Sequence, residues 1–190
     1  MIPVKLSVRN FMCYRGDGAS LDLSSVHLAC LSGENGSGKS ALLGAITWAL
    51  WGKARERVSD DELISQGATE MEVDYEFLLG EARYRVVRKR TRKSGGQTIL
   101  ELHMQTDGES DTWKPLTGHH VHDTEARIRD LLKMDYKTFI NSAFILQGRA
   151  DEFTVKTAAE RKKVLADILG RRPVEPNTRE QQRTEEGGTE

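Results

Sequence analysis

Apolar residues alternate with polar ones at the start of the chain and again after residue 70, which predicts two groups of strands. In the first group the alternating apolar positions are Val4, Leu6, Val8, Leu21 and Leu23. Residues 27–31 form a weakly charged run that predicts a short buried strand. In the second group the alternation runs over residues 71–79, continues after Gly80 and returns over residues 98–104. This second pattern predicts a hairpin and a third strand, and therefore a small antiparallel sheet.

Helical spacing of apolar residues follows a glycine-rich turn and recurs later in the chain. Residues 39–51 predict a helix that ends at Gly52, because glycine is favoured just past a helix C-terminus. Ser59 and Glu62 have the spacing of a capping box, which predicts a short helix that ends near Gly67. The remaining predicted helices span residues 121–133 and 157–170.

The composition indicates one globular domain followed by a polar tail. The chain has 190 residues, of which 37% are hydrophobic and 30% are charged, and its net charge is -1. Pro173 and Pro176 prevent a continuous helix, so we expect residues 1–170 to form the domain and residues 171–190 to be a disordered tail or a truncated linker. No apolar run is long enough to span a membrane, the N-terminus lacks a secretion signal, and the two cysteines match no metal-binding spacing.

The glycine-rich turn carries the strongest chemical signal in the chain. Residues 33–40, the P-loop, match the pattern G-x-x-x-x-G-K-[ST] without a mismatch. Gly36 and Gly38 allow backbone angles at which successive N–H groups can point at phosphate oxygens. The helix that begins near Lys39 adds the positive end of its dipole. Lys39 can reach the β- and γ-phosphates, and Ser40 offers a hydroxyl ligand for Mg²⁺.

The motif therefore predicts a site for a nucleoside triphosphate and Mg²⁺. The candidate nucleotide-binding residues are Asn35, Gly36, Ser37, Gly38, Lys39, Ser40 and Ala41. The alternative is a glycine turn that carries Lys-Ser by chance, but the predicted strand before it and the helix after it are the context that the motif requires. The motif alone does not separate kinases, GTPases and ATPases.

Several segments taken together closely resemble the N-terminal half of the SbcC-type DNA-repair ATPases, which are relatives of the SMC proteins and the ABC ATPases. The matching segments are residues 8–11, 33–52, 61–68, 144–153 and 159–170. The resemblance covers about residues 3–170, and residues 144–170 with the hairpin before them are its specific part. It implies an α/β fold that is half of an ABC-type ATPase head, in which the P-loop helix packs on a mixed sheet with an antiparallel β lobe.

The resemblance also implies roles for particular residues. It implies that ATP is the nucleotide and that Gln147, on the family's glutamine loop, helps to hold Mg²⁺ and the attacking water. Lys39 and Gln147 are thus the predicted catalytic residues. Relatives bring the stretch that contains Gln66 near the nucleotide, although an ordinary helix end is the alternative. Relatives often have a basic residue where this chain has Met12, so a charged contact is not expected there.

The resemblance further implies partners. In the family a C-terminal half, reached through a long antiparallel coiled coil, completes the head, and ATP joins two heads into a homodimer. No apolar run in this chain ends in Asp-Glu, so we expect ATP hydrolysis only when that half completes the head. An apolar edge should mark where it packs. An SbcD-type nuclease and double-stranded DNA are the other implied partners, in the cytoplasm with the nucleoid or in a nucleus, and no membrane is implied.

Basic residues concentrate in the predicted hairpin and the turn after it. They are Arg83, Arg85, Arg88, Lys89, Arg90, Arg92 and Lys93. Such a stripe can neutralise DNA phosphates without reading sequence, and the resemblance implies DNA binding across the sheet lobes. A solvated hairpin with no partner is the alternative.

Other interpretations of the motifs remain. Residues 94–97 read Ser-Gly-Gly-Gln as in an ABC signature, but the alternation after them favours a turn that leads into a strand. The chain could be a half-head of another SMC or RecF-like ATPase, or a nucleotide-binding fragment that does not hydrolyse ATP. A transporter domain is disfavoured, because there the glutamine follows the P-loop far more closely than Gln147 follows Ser40.

Overall fold

The computed structural model describes residues 1–54, 58–92, 95–106, 112–142 and 157–158. The chain divides into a first unit, Met1–Tyr136, and a second unit, Lys137–Glu190. The predicted helix over residues 157–170, the tail over residues 171–190 and the boundary between them lie outside the described residues, apart from positions 157 and 158.

The first unit is built on a six-stranded sheet with the order β2-β1-β3-β4-β5-β6. Every described strand pair is antiparallel. The strands are β1 (Ile2–Arg9), β2 (Ala19–Asp22), β3 (Glu70–Leu79), β4 (Ala82–Thr91), β5 (Gln97–Gln105) and β6 (Trp113–Pro115). The predicted hairpin and third strand are therefore confirmed, and the first strand of the chain joins the same sheet.

Two glycine turns fix the register of the central strands. Leu79 pairs with Ala82 across a two-residue turn in which Gly80 has a φ of 62°, a value that glycine adopts without strain. Gly95 and Gly96, with φ values of 82° and 86°, lie just before β5 begins. The strand expected after the signature-like sequence is confirmed, whereas Ser94 lies outside the described residues.

The described residues form four helices. They are α1 (Lys39–Trp51), α2 (Asp60–Leu63), α3 (Val121–Leu132) and α4 (Tyr136–Ser142). Gly52 closes α1 in the left-handed conformation that the sequence predicted. The helix after Ser59 is shorter than expected and ends at Leu63, because Ile64 takes an extended conformation and forms a β-bridge with Phe11.

The core lies between one face of the sheet and helices α1 and α3. Helix α1 packs on β3 and β4, and α3 packs on β5. The largest fully buried side chains include Trp48, Phe11, Tyr75, Phe77, Leu102 and Ile128. The alternating positions of β1 and β3 supply most of this face, as their sequence pattern predicted. The α/β class with an antiparallel lobe is thus confirmed.

The predicted strand over residues 27–31 is wrong. This segment is irregular, and Leu28 is 94% exposed while Leu31 is 44% exposed. An apolar run becomes a strand only when another strand accepts its backbone hydrogen bonds. No described strand pairs with this segment, so the P-loop follows an irregular exposed segment.

Candidate nucleotide-binding site

The P-loop connects that exposed segment to the first turn of α1. Gly33, Gly36 and Gly38 have φ values of 147°, 86° and 99°. Among the described residues, no acceptor takes the backbone N–H groups of Gly36, Gly38, Lys39 or Ser40. A Cβ atom at Gly36 would meet nothing within 4 Å. The loop therefore presents unused donors beside open space, as phosphate binding requires.

Lys39 reaches back over the loop that precedes it. Its Nζ atom donates to the carbonyl oxygens of Gly33 at 2.8 Å and Glu34 at 2.7 Å. Ser40 is exposed at the next position of α1. The ammonium group thus lies close to the backbone that would surround a phosphate chain, and these contacts are weak enough for it to exchange them for phosphate oxygens.

A second loop, residues 10–14, packs against the P-loop. Tyr14 Oη donates to the carbonyl oxygen of Gly38 at 3.2 Å. A Cβ atom at Gly38 would lie 2.5 Å from Cys13 Sγ, so only glycine fits at this contact. Burial, with a smaller contribution from the nearby Cys13, raises the pKa of Tyr14 above its ordinary value, which keeps the hydroxyl a donor. The resemblance pointed to the residues after Phe11, but no sequence pattern predicted the contact between Tyr14 and Gly38, because an aromatic residue after a strand carries no phosphate-binding signal.

The segment between α2 and β3 holds the 10–14 loop in place. We call its residues 64–68 the 64–68 linker. Ser65 Oγ donates to the carbonyl oxygens of Met12 at 2.8 Å and Tyr14 at 3.1 Å. Ser65 N–H donates to the Asn10 carbonyl at 2.9 Å, and Met12 N–H donates to the Leu63 carbonyl at 2.7 Å. These bonds hold Asn10 and Met12 at positive φ values of 51° and 52°, which asparagine tolerates and methionine rarely adopts.

A cavity of about 480 Å³ opens where the linker meets the end of β1. It is lined by Asn10, Arg15, Ser65, Gln66, Gly67, Ala68, Thr69 and Glu70. Gln66 and Arg15 are exposed, and neither makes an ion pair or side-chain hydrogen bond within the described residues. The structure therefore places Gln66 beside the loop that touches Gly38, but its contact with a nucleotide stays a prediction.

The basic residues of the hairpin do not form one surface. Alternation along β4 sends Arg88 and Arg90 to the helix-facing side, together with Tyr84 and Val86. Arg88 is 2% exposed, donates to the Ala49 carbonyl at 3.1 Å and pairs with Glu125 at 2.9 Å. Its prediction as a DNA contact is wrong, because a buried and paired guanidinium cannot reach a phosphate. Burial lowers the pKa of Arg88, and the charge and hydrogen bond of Glu125 offset only part of this decrease.

The other face of β4 carries Arg83, Arg85 and Lys89, and each faces an acidic residue of β3. Arg83 pairs with Glu76, Arg85 with Asp74 through two donors, and Lys89 with Glu72 at 3.1 Å. The outer face is thus a lattice of paired charges rather than a positive stripe. Lys93 lies outside the described residues.

Gln147 also lies outside the described residues, so its role stays a prediction. In the part of the chain that the structure describes, no three His, Cys, Asp or Glu side chains are grouped so that they could hold a metal ion. Within that part, no helix is both long and apolar enough to cross a bilayer.

Known proteins resemble this chain over most of its length. Residues 5–185 match a sequence family described as an AAA domain. The chain is 33% identical over 172 residues to the SbcC component of the SbcCD nuclease of Deinococcus radiodurans, a match that covers 90% of this chain and 18% of that protein. It is also 33% identical over 168 residues to the DNA double-strand break repair Rad50 ATPase of Halobacterium salinarum, covering 87% of this chain and 18% of the relative.

Solved structures give the fold independently of sequence. A chain from a study of ATP-driven dimerization and DNA-stimulated activation of SMC ATPases superposes with a TM-score of 0.60 at 20% identity. The superposition covers 88% of this chain and 99% of that one. The likeness confirms the ATPase head fold that the sequence predicted.

Proposed function

Because the chain belongs to the AAA domain family, we propose that it is the ATP-binding half of an SbcC/Rad50-type DNA-repair ATPase head. The resemblance to SbcC-type ATPases is itself confirmed by the relatives. The observation that carries the proposal is the P-loop, where four unused N–H donors and the Lys39 ammonium group surround open space. The chain spans 18% of the length of these relatives, so the activity of a whole protein is part of the proposal.

Different groups of the P-loop would bind the phosphate oxygens and Mg²⁺. The unused N–H groups of Gly36, Gly38, Lys39 and Ser40 bind the phosphate oxygens, whereas those of Ser37 and Ala41 already donate to backbone carbonyls. Lys39 exchanges its two carbonyl partners for oxygens of the β- and γ-phosphates. Ser40 Oγ would hold Mg²⁺, with Gln147 as the proposed second protein ligand. Mg²⁺, when bound, would neutralise charge on the phosphates. Gln147 orients the attacking water as an uncharged amide.

The cavity beside the 64–68 linker is the proposed site for the rest of the nucleotide. It offers the amide of Gln66 and the guanidinium of Arg15, both exposed, next to the loop that touches Gly38. Arg15 supplies a positive charge that Met12 cannot supply. A guanidinium can both stack on a base and donate to ribose or phosphate oxygens.

A C-terminal half is the proposed completing partner. Val26, Leu28 and Leu31 are 40%, 94% and 44% exposed immediately before the P-loop. Burying such side chains is favourable by about 25 cal/mol per Å² of apolar area, which supports packing of a second polypeptide against this segment. The completed head would dimerise with a second copy around ATP, hydrolyse it and regulate an SbcD-type nuclease.

Turnover by mixed halves tests this proposal. ATP hydrolysis is measured for this chain alone and for its mixture with a separately expressed C-terminal half from the same gene. We expect turnover in the mixture, and loss of it in both Lys39→Ala and Gln147→Ala. Lys114→Ala is the matched control, because Lys114 is exposed on β6. Turnover by the chain alone that survives both substitutions would mean that the site is misassigned.

Double-stranded DNA is the other proposed partner of the completed head. Arg83, Arg85 and Lys89 are the described candidates for phosphate contacts, at 35%, 37% and 43% side-chain exposure. Arg92 and Lys93 remain proposed contacts at the end of the hairpin, and Arg90 is restricted by its pairing with Asp61. Because carboxylates already neutralise the outer face, it can neutralise few phosphates, so we expect weak binding with a shallow dependence on salt. Binding measured against salt concentration tests this, and an unchanged slope in an R83Q/R85Q/K89Q variant would exclude the outer face.

A further inference from the structure

Two more arginines follow Arg88 on the helix-facing side, Arg90 in β4 and Arg92 immediately after it. Both form hydrogen bonds with Asp61 of α2. Arg90 Nε donates to Asp61 Oδ1 at 2.8 Å, and its Nη1 donates to Thr98 Oγ1 at 3.1 Å. Arg92 Nη2 donates to the Asp61 carbonyl at 2.6 Å. We name Arg90 and Arg92 the arginine clamp, because both donate hydrogen bonds to Asp61 of α2.

The clamp also holds the 64–68 linker. Arg92 donates to the carbonyl oxygen of Ile64 at 3.4 Å and to that of Ala68 at 3.5 Å. Its backbone N–H donates to the Thr69 carbonyl at 2.8 Å. One guanidinium therefore touches α2 and both ends of the linker, which a single-point ammonium group could not do.

The 64–68 linker connects the arginine clamp to the P-loop through the 10–14 loop. Ser65, between Ile64 and Ala68, holds the 10–14 loop through its N–H and its hydroxyl. Tyr14 of that loop donates to the Gly38 carbonyl. Hydrogen bonds and the short backbone segments between them thus connect Arg92, through Ser65 and Tyr14, to the P-loop.

We propose that the arginine clamp positions the 10–14 loop against Gly38 and thereby sets the affinity of the P-loop for Mg·ATP. Arg90 and Arg92 are positioning residues that need not touch the nucleotide. This inference rests on the proposed nucleotide-binding function. It gives Arg92 a role in addition to the proposed DNA contact.

The first test uses the nucleotide-free chain and amide hydrogen exchange measured by NMR. In Arg92→Gln the exchange rates of the Met12 and Ser65 amides should rise about fivefold, which corresponds to roughly 1 kcal/mol of lost hydrogen bonding. Arg92→Lys keeps one donor and should recover part of the protection. Arg127→Gln is the matched control, since exposed Arg127 also donates to two backbone carbonyls, those of Leu116 and Thr117.

The second test is calorimetric titration with Mg·ATP. Arg92→Gln should weaken binding about fivefold, while Arg127→Gln leaves it unchanged. Because the effect passes through Tyr14, a double variant with Tyr14→Phe should lose less than the product of the two single effects. Thermal unfolding of each variant checks that the fold is kept.

The outcomes separate the two proposals. If Arg92→Gln leaves the two amides as protected as in the parent, or leaves the affinity of a binding-competent parent unchanged, the positioning role is wrong. If the parent and Lys39→Ala both show no ATP binding, the proposed function fails and the affinity part of the inference fails with it. The exchange experiment then still decides whether the clamp positions the 10–14 loop.

Discussion

The contact between Gly38 and Cys13 gives the sharpest prediction about the P-loop, because Gly36 provides a matched comparison. Both glycines have positive φ, 99° for Gly38 and 86° for Gly36. A Cβ atom at Gly38 would lie 2.5 Å from Cys13 Sγ and 3.0 Å from Tyr14 Oη, whereas a Cβ atom at Gly36 meets nothing within 4 Å. Replacement by alanine therefore adds backbone strain at both positions and a steric clash at Gly38 alone.

The magnitudes follow from these two terms. Backbone strain of an alanine at positive φ costs about 1–2 kcal/mol at either position. Displacing Cys13 and Tyr14 adds about 1–3 kcal/mol for Gly38→Ala. A difference of about 2 kcal/mol between the variants corresponds to roughly 4–8 °C in Tm for a chain of this size.

Thermal unfolding of the ligand-free chain measures the difference directly. We expect Gly38→Ala to unfold well below Gly36→Ala. Adding Cys13→Ala to Gly38→Ala removes the sulfur atom and should recover about half of the difference. Equal Tm values for the two single variants would refute the reasoning, because they would show that the 10–14 loop does not press on the P-loop in solution.

Two further predictions concern charged groups of the sheet. Arg88→Met should destabilise the fold by about 3 kcal/mol in urea unfolding, since it leaves the partly buried Glu125 unpaired. Lys89→Met should cost less than about 1 kcal/mol, because Lys89 is 43% exposed and its partner Glu72 keeps its ion pair with Arg9, and equal losses would contradict this reasoning. Burial raises the pKa of Glu72, but hydrogen bonds and charges from Lys89 and Arg9 outweigh it and hold this pKa below the ordinary value of 4.5. Glu72 therefore stabilises the fold above its unfolded pKa and stops doing so as the pH falls through its folded pKa. Glu72→Gln should lower stability at neutral pH and flatten its decline in acid, and an unchanged pH profile in urea unfolding would show that the pairing is ineffective.

Local signals predicted the central hairpin and the P-loop helix. The alternation over β3 and β4 with Gly80 between them, and the helical spacing that ends at Gly52, are properties of short segments whose partners are neighbours in sequence. Such elements are specified locally, so periodicity and turn residues are sufficient to predict them.

Features that depend on distant partners are harder to predict. Residues 27–31 have the composition of a buried strand, but whether they pair depends on other polypeptide segments. The basic stretch has the composition of one charged surface. Arg88, however, lies two and four positions from the buried Val86 and Tyr84, so it shares their face of the strand, and this spacing identifies it as a core residue. The 10–14 loop depends on Ser65, fifty-three positions from Met12 along the chain, which no local pattern records.

The two-residue turn at Gly80 has a practical consequence for labelling this molecule. Gly80 and Glu81 are both exposed, and a Cβ atom at Gly80 would meet nothing within 4 Å. Exposed tight turns tolerate insertions and new chain termini. A fluorophore attached at Glu81, or a peptide tag inserted after Gly80, would thus mark the tip of the β3–β4 hairpin. Such a probe could report on its surroundings while leaving the P-loop residues chemically unaltered.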